Sequence, residues 1–150
     1  MKLEKFKKIT PQKYFVGISS FIFGGIYGIF LLIVNNPTFG DYRFFANEPV
    51  SIFYGFTRWQ TWSSRLFIEN AVNLFSKNLF VWAIITIFLS GLLFWSLSRI
   101  LKIRRVEQLL IIFGLFMLIN PIFLASAGIF ATTICYLWPM SLFLFTISIL

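Results

Sequence analysis

Residues 14–34 read YFVGISSFIFGGIYGIFLLIV, an apolar run of 21 residues that contains no charged side chain. A helix of this length spans the hydrocarbon core of a bilayer, which is about 30 Å thick. The run follows Met1–Lys13, which carries five lysines and one glutamate. It is too long for the apolar part of a secretory signal peptide, and no A-x-A-like cleavage site follows it before Asn35. We therefore interpret it as an uncleaved membrane anchor.

Three further apolar stretches predict membrane spans at about residues 79–97, 109–124 and 131–150. Asn120-Pro121 interrupts the third stretch, and we expect the proline to kink that helix or end it early. Backbone polar groups inside a bilayer must be bonded within the protein, so the fold class is all-α. We predict one polytopic membrane domain, residues 1–150, with four transmembrane helices. Because no polar flank follows the last span, we expect the chain to be truncated at Leu150; a complete small protein is the alternative.

The composition excludes several classes of protein. Hydrophobic residues make up 59% of the chain and charged residues 12%, whereas soluble proteins carry roughly 25% charge. The net charge of +8 flanks the apolar spans and forms no single basic face, so we predict no nucleic-acid partner. The chain has no histidine and one cysteine, Cys135, which excludes the usual soft-metal clusters. We predict no cofactor and no metal, although a divalent ion held by carboxylates stays open.

The distribution of charge predicts the orientation in the membrane. The net charge is +4 in Met1–Lys13 and +3 in Arg99–Glu107, but only +1 in the long loop of residues 35–78. Loops rich in lysine and arginine stay on the cytoplasmic side. We therefore predict a multi-pass protein of the plasma membrane with a cytoplasmic N-terminus and residues 35–78 outside.

Within the outer loop, the segment Val50–Phe75 is amphipathic at the period of a helix, with room for an interruption. Its polar face collects Arg58, Thr61, Arg65, Glu69 and Asn73. We expect this helix to lie in the membrane interface with its aromatic side buried and its arginine side towards water. Arg58 and Arg65 lie two turns apart, as a clamp for a lipid-linked phosphate requires. Plain interfacial anchoring by aromatic and arginine side chains is the alternative.

Three other features bear on function. Asp41 follows the first span closely, so its carboxylate is a candidate general base near the outer interface; an ordinary solvated loop acid is the alternative. Ser20, Gly24 and Gly28 form a stripe of small residues that lets another helix approach closely. Thr132-Thr133, near the outer side, predicts either the lining of a polar cavity or hydroxyl groups that bond to the backbone freed by Pro121. The stretch Tyr136 to Pro139 predicts two aromatic side chains at the membrane interface, followed by a kink at the proline.

The order of these parts resembles the beginning of the GT-C class of integral-membrane glycosyltransferases. More narrowly, three motifs are similar to a bacterial multispan family of the cell envelope that is catalogued as a domain of unknown function and placed near that class. These motifs are Gly40-Asp41-Tyr42, Trp62-Ser63-Ser64-Arg65, and Ser126-Ala127-Gly128 with Tyr136-Leu137-Trp138-Pro139.

The resemblance implies a catalytic base in the first outer loop, at the position of Asp41, and a polyprenyl-phosphate-linked sugar as donor. It implies a phosphate or substrate contact at Arg65. Relatives often have two adjacent acids where this chain has Gly40 beside Asp41, and members of the class have around ten spans.

Two functions of different classes follow. The first is the N-terminal part of a membrane glycosyltransferase that works on the outer face, with Asp41 as base and Arg58 and Arg65 binding phosphate. The second is a non-enzymatic four-span protein, either a partner in the translocation of lipid-linked sugars or an assembly subunit. The stripe of Ser20, Gly24 and Gly28 favours the second, and the length of the 35–78 loop counts against it.

Overall fold

The computed structural model describes residues 11–35, 41–51, 53–61, 66–124 and 128–150. These residues are almost entirely helical, and no strand occurs among them. In chain order, the helices are α1 (Pro11–Val34), α2 (Asp41–Asn47), α3 (Tyr54–Thr61), α4 (Leu66–Ser76), α5 (Leu79–Ile100), α6 (Val106–Leu124), α7 (Ile129–Thr132) and α8 (Trp138–Ile149). A π-helical turn, Thr133–Leu137, joins α7 to α8. The all-α class is therefore confirmed.

Three helical stretches are long and apolar enough to cross a membrane. They are Tyr14–Val34 of α1, Leu79–Ile100, and Ile129–Ile149, which runs from α7 through the π-helical turn to α8. In α6, the stretch Val106–Leu118 is a shorter apolar helix. The protein thus has the helices of a membrane protein, with three candidate spans where the sequence predicts four.

The helix ends differ from the predicted ends by a few residues. α5 continues to Ile100, beyond the predicted end at 97, because Arg99 in its last turn suits the negative end of the helix dipole. α6 starts at Val106, before the predicted 109, where Gln108 Oε1 accepts a hydrogen bond of 3.2 Å from the Arg104 amide. Pro121 does not end α6 early, since the helix continues to Leu124.

The small-residue stripe of α1 packs against α5 of the same chain. A Cβ atom at Gly24 would overlap the carbonyl oxygen of Ser90, and one at Gly28 would lie 2.7 Å from the Cα of Ile87. Ser20 is fully buried, and its hydroxyl donates a 2.7 Å hydrogen bond to the Val16 carbonyl. The close approach expected from the stripe therefore occurs within the chain.

Aromatic rings fill the space between α1, α5 and α6. Tyr27 of α1 and Phe94 of α5 are fully buried, and their ring centroids are 5.9 Å apart. Phe116 of α6 contacts both rings, at 5.8 Å from Tyr27 and 5.1 Å from Phe94. Edge and tilted contacts of this kind add to the stability that burial supplies. This cluster holds α6 on the α1–α5 pair.

Pro139 is accommodated by the π-helical turn. A proline inside a regular α-helix clashes with the carbonyl four residues earlier, which here belongs to Cys135. In the structure the Trp138 amide bonds instead to the Thr133 carbonyl, five residues back. The predicted disturbance at Pro139 is therefore a widened turn before the proline. Gly128 precedes α7 with φ 87°, a backbone conformation that glycine adopts readily.

The loop between α1 and α5 folds into three short helices, α2, α3 and α4, which we call the loop cap. These helices contact one another, and the cap reaches the bundle where α2 meets α7 and where α4 meets α5 and the π-helical turn. In the segment 50–75, predicted as an interfacial helix with room for an interruption, the described helical residues belong to α3 and α4. The location of this segment in the membrane interface stays a prediction.

Candidate functional site at the junction of loop cap and bundle

The loop cap is joined to the end of the bundle by aromatic contacts. The ring of Tyr42 in α2 meets that of Phe130 in α7 edge to face, with centroids 5.0 Å apart. Phe130 is fully buried and also contacts the indole of Trp82 in α5, at 5.2 Å. Phe75 of α4 meets Trp138 at 5.0 Å. Residues of the cap and of the spans therefore share one aromatic layer.

Beneath this layer, two tryptophans and two threonines form crossed hydrogen bonds between α5 and the last span. Trp82 Nε1 donates to Thr133 Oγ1 at 2.9 Å, and Trp138 Nε1 donates to Thr86 Oγ1 at 3.2 Å. Thr86 and Thr133 are fully buried. The Thr133 hydroxyl also donates to the Phe130 carbonyl at 2.8 Å. Each indole N–H thus has a partner inside an apolar region, where an unpaired donor is costly.

This network changes the roles expected for two motifs. Trp138 is 9% exposed, so it lies inside the bundle and not in an aromatic belt at the surface, whereas Tyr136 is 61% exposed. Thr133 accepts a bond from another helix, and Thr132 donates to the Gly128 carbonyl at 2.8 Å. The sequence signal for this network is a tryptophan and a threonine near each other on each of two spans. Trp82 and Thr86 are four residues apart on α5, and Thr133 and Trp138 are five residues apart on the last span.

The structure describes the three predicted site residues, Asp41, Arg58 and Arg65, to different extents. α2 begins at Asp41, so the backbone of this residue lies directly before Tyr42 and hence beside the junction. Arg65 lies outside the described residues, as do Gly40 and the motif Trp62-Ser63-Ser64. Arg58 belongs to α3, and its side chain is described in full.

Arg58 forms an ion pair with Glu69 inside the cap. Its Nε lies 2.6 Å from Glu69 Oε2, and the two side chains are 20% and 10% exposed. The guanidinium carbon lies 5.0 Å from the ring centroid of Phe44, 5.8 Å from that of Phe45 and 5.9 Å from that of Tyr54. Rings attract cations through their electron-rich faces. Arg58 therefore connects α2, α3 and α4.

The polar face of α4 points inward, opposite to the predicted orientation. Glu69 is 8% exposed and Asn73 1%, while Phe67 on the other side is 84% exposed. Asn73 Nδ2 donates to the Pro49 carbonyl at 3.3 Å, and Ser76 Oγ donates to the Phe45 carbonyl at 3.2 Å. The Phe45 carbonyl lies in the last turn of α2 and the Pro49 carbonyl lies after its end, where backbone carbonyls have no intrahelical partner. The polar side chains of α4 satisfy those groups.

Burial also affects the tyrosine beside Arg58. Burial raises the pKa of Tyr54 above the ordinary tyrosine value of 10.0, although the nearby charge of Arg58 acts in the opposite direction. The hydroxyl of Tyr54 is buried beside the Arg58 guanidinium. Tyr54 is therefore neutral at physiological pH.

Within the described parts of the chain, no group of three or more histidine, cysteine, aspartate or glutamate side chains could hold a metal ion. Comparisons of the chain with protein-family models, with curated proteins and with solved structures find no match.

Proposed function

We propose that this chain acts in glycosyl transfer at the outer face of the plasma membrane, with a polyprenyl-phosphate-linked sugar as donor. The observation that carries the proposal is the docking of the loop cap on the bundle. The contact of Tyr42 with Phe130 holds the start of α2, and hence Asp41, at the end of the membrane helices. In the proposed topology this end of the bundle lies at the outer membrane surface, where a lipid-linked donor presents its phosphate and sugar.

In the proposed reaction, the Asp41 carboxylate accepts the proton of an acceptor hydroxyl. The hydroxyl oxygen forms a bond to the anomeric carbon of the sugar. The bond between that carbon and the phosphate oxygen breaks, and polyprenyl phosphate leaves with the electron pair. Arg65 offsets the charge that develops on the departing phosphate, because a guanidinium binds phosphate oxygens in a bidentate manner.

For Arg58 the contacts support a positioning role. Its charge is balanced by Glu69 at 2.6 Å, so a contact with donor phosphate would require this ion pair to open. The pair joins α3 to α4, the two helices that flank residues 62–65. We therefore propose that Arg58 and Glu69 act indirectly, by holding α3 and α4 against each other.

Two finer features of the topology belong to the proposal. At 1.5 Å per residue, the 19 residues of α6 extend about 28 Å, close to the hydrocarbon thickness, and we include α6 as a fourth span. The basic segments before α1 and between α5 and α6 favour a cytoplasmic N-terminus and a loop cap on the outer side.

The non-enzymatic alternative loses its main support. The stripe of Ser20, Gly24 and Gly28 favoured an assembly subunit, but α5 of the same chain covers Gly24 and Gly28, and Ser20 is buried. A partner helix would have to displace α5 from this stripe.

The test is transfer of radiolabelled sugar from polyprenyl-phosphate donors in membranes that contain the full chain. The key variant is Asp41→Asn, and Glu48→Gln is the matched control because it removes another carboxylate of the same loop. We expect transfer that Asp41→Asn lowers at least about 100-fold and that Glu48→Gln leaves intact. Absence of transfer from the correctly inserted chain, or equal transfer by Asp41→Asn, would contradict the proposal.

A further inference from the structure

A groove of about 780 Å³ lies between the start of α1 and the end of α5, at the opposite end of α5 from the loop cap. One wall is apolar. Gly17 presents no side chain there, and a Cβ atom at this position would lie 3.6 Å from the indole nitrogen of Trp95. Phe21 continues the wall along α1. The wall has the chemistry and the location to accept an acyl chain.

The other wall of the groove is cationic. Arg99 and Lys102 at the end of α5 line it, together with Arg104 in the following loop. The guanidinium carbon of Arg99 lies 4.9 Å from the ring centroid of Trp95, which joins the cationic wall to the apolar one. Among the described residues that line the groove, none is acidic. Three positive charges therefore line the groove, with no carboxylate among the lining residues that the structure describes.

Lys102 holds its position against a backbone preference. α5 ends in a Schellman motif, in which the Ile103 amide bonds to the Ser98 carbonyl at 2.9 Å and the Lys102 amide bonds to the Arg99 carbonyl at 3.1 Å. The residue at this point of the motif is usually glycine, because φ is positive. Lys102 has φ 52° and is the one non-glycine residue with positive φ in the described part of the chain. Strain of this kind often accompanies a functional side chain.

We propose that this groove binds an anionic phospholipid, with Arg99, Lys102 and Arg104 around the headgroup phosphate and an acyl chain along Gly17, Phe21 and Trp95. Basic pockets between membrane helices bind anionic headgroups. A soluble phosphate would use only the cationic wall, whereas a lipid uses both walls. The positive-inside rule assigns this end of α5 to the cytoplasmic leaflet, where anionic lipids provide the complementary charge. The proposal is independent of glycosyl transfer.

The experiment measures lipid binding to the purified full chain by native mass spectrometry in a neutral detergent. Phosphatidylglycerol and phosphatidylcholine with identical acyl chains are the two probes. The variants are Lys102→Gly and Arg104→Gln. Arg105→Gln is the matched control, since Arg105 is an exposed cation of the same loop that does not line the groove.

We expect the parent to prefer phosphatidylglycerol, and each groove variant to bind it about fivefold more weakly. Arg105→Gln should change the affinity less than twofold. Lys102→Gly should melt at a temperature no lower than that of the parent, because glycine relieves the positive φ. A loss of lipid binding in this variant therefore reports the side chain and not the fold.

Three results would overturn the proposal. One is equal binding of the two lipids, and another is an equal effect of Arg105→Gln, which would indicate diffuse surface charge. The third is competition by glycerol 3-phosphate at the same concentration as the lipid, which would assign the groove to a soluble phosphate.

Discussion

The indole nitrogen of Trp82 in α5 donates a hydrogen bond of 2.9 Å to Thr133 Oγ1 in the π-helical turn of the last span. The two residues are 51 positions apart in the chain. A second bond, from Trp138 to Thr86, connects the same two segments in the opposite sense. These two bonds therefore connect the π-helical turn, which contains Thr133, to the aromatic layer under the loop cap, which contains Trp82 and Trp138.

Loss of the Trp82–Thr133 bond should weaken the packing of the last span on α5. We expect Thr133→Val and Trp82→Phe to be non-additive, with a coupling of about 0.6 kcal/mol, typical of hydrogen bonds between membrane helices. The measurement is the free energy of unfolding in mixed micelles for both single variants and the double variant. Thr146→Val is the matched control, since Thr146 is exposed and bonds to the Leu142 carbonyl of its own helix. Strict additivity would show that the bond contributes nothing.

The contact of α1 with α5 should depend on Gly24 and not on its neighbour. A methyl group at Gly24 would overlap backbone atoms of Ser90 and Gly91, which cannot move aside as a side chain can. At Gly25 the nearest atom is a side-chain carbon of Ile87, 4.0 Å away. We expect Gly24→Ala to destabilise the protein by about 1–3 kcal/mol and Gly25→Ala to be neutral or stabilising. Thermal unfolding in detergent distinguishes them, and equal melting temperatures would contradict the packing.

Removal of the Glu69 charge should loosen the loop cap. In Glu69→Gln the Arg58 guanidinium keeps its place among three rings but loses its counter-charge. We expect a loss of about 1–3 kcal/mol, because a partly buried charge loses its ion pair with Glu69. Glu107→Gln makes the same chemical change at an exposed position and should alter stability by less than about 1 kcal/mol. Protection of cap amides from hydrogen exchange is the readout, and unchanged protection would show that the pair is dispensable.

The raised pKa of Tyr54 predicts a loss of stability in alkali. The folded state holds the phenol proton more tightly than the unfolded state, whose pKa is the ordinary 10.0. The contribution of the protonated Tyr54 phenol to the free energy of unfolding is therefore intact below pH 10. It declines as the pH rises through 10 towards the higher pKa of the folded state. Tyr54→Phe removes the titrating hydroxyl and with it this decline. Melting temperatures of both proteins from pH 8 to about 11 should diverge above pH 10, and parallel curves would contradict the burial of Tyr54.

The orientation can be measured with single cysteines. In a Cys135→Ser background, Ser51→Cys places an exposed thiol in the loop cap, and Arg105→Cys places one between α5 and α6. We expect a membrane-impermeant maleimide to label position 51 in intact cells and position 105 only after permeabilisation. The reverse pattern would place the N-terminus outside and exclude a role of the loop cap at the outer face.

Part of the candidate site could be predicted from the sequence. The helical character of the segments around Arg58 and Glu69 follows from the amphipathic pattern of residues 50–75, whereas the sequence pattern does not predict α2, which begins at Asp41. The partner of Arg58 does not follow from the pattern either. The sequence pattern pairs Glu69 with Arg65, four residues away on the predicted helix, whereas the structure pairs Glu69 with Arg58 of α3. This contact depends on how α3 and α4 pack together, which the period of one helix does not predict.

The sequence by itself determined the all-α class, the apolar helices long enough for a membrane, and the sites where charge gathers between them. These properties depend on apolar length and on hydrogen bonds within each helix, which are local. The tertiary structure alone decided that the small-residue stripe of α1 packs against α5, and that the polar face of α4 turns inward. It also decided that Trp82 and Trp138 bond to buried threonines. Those outcomes depend on which distant segments satisfy one another's polar groups, and helical periodicity does not specify the partner.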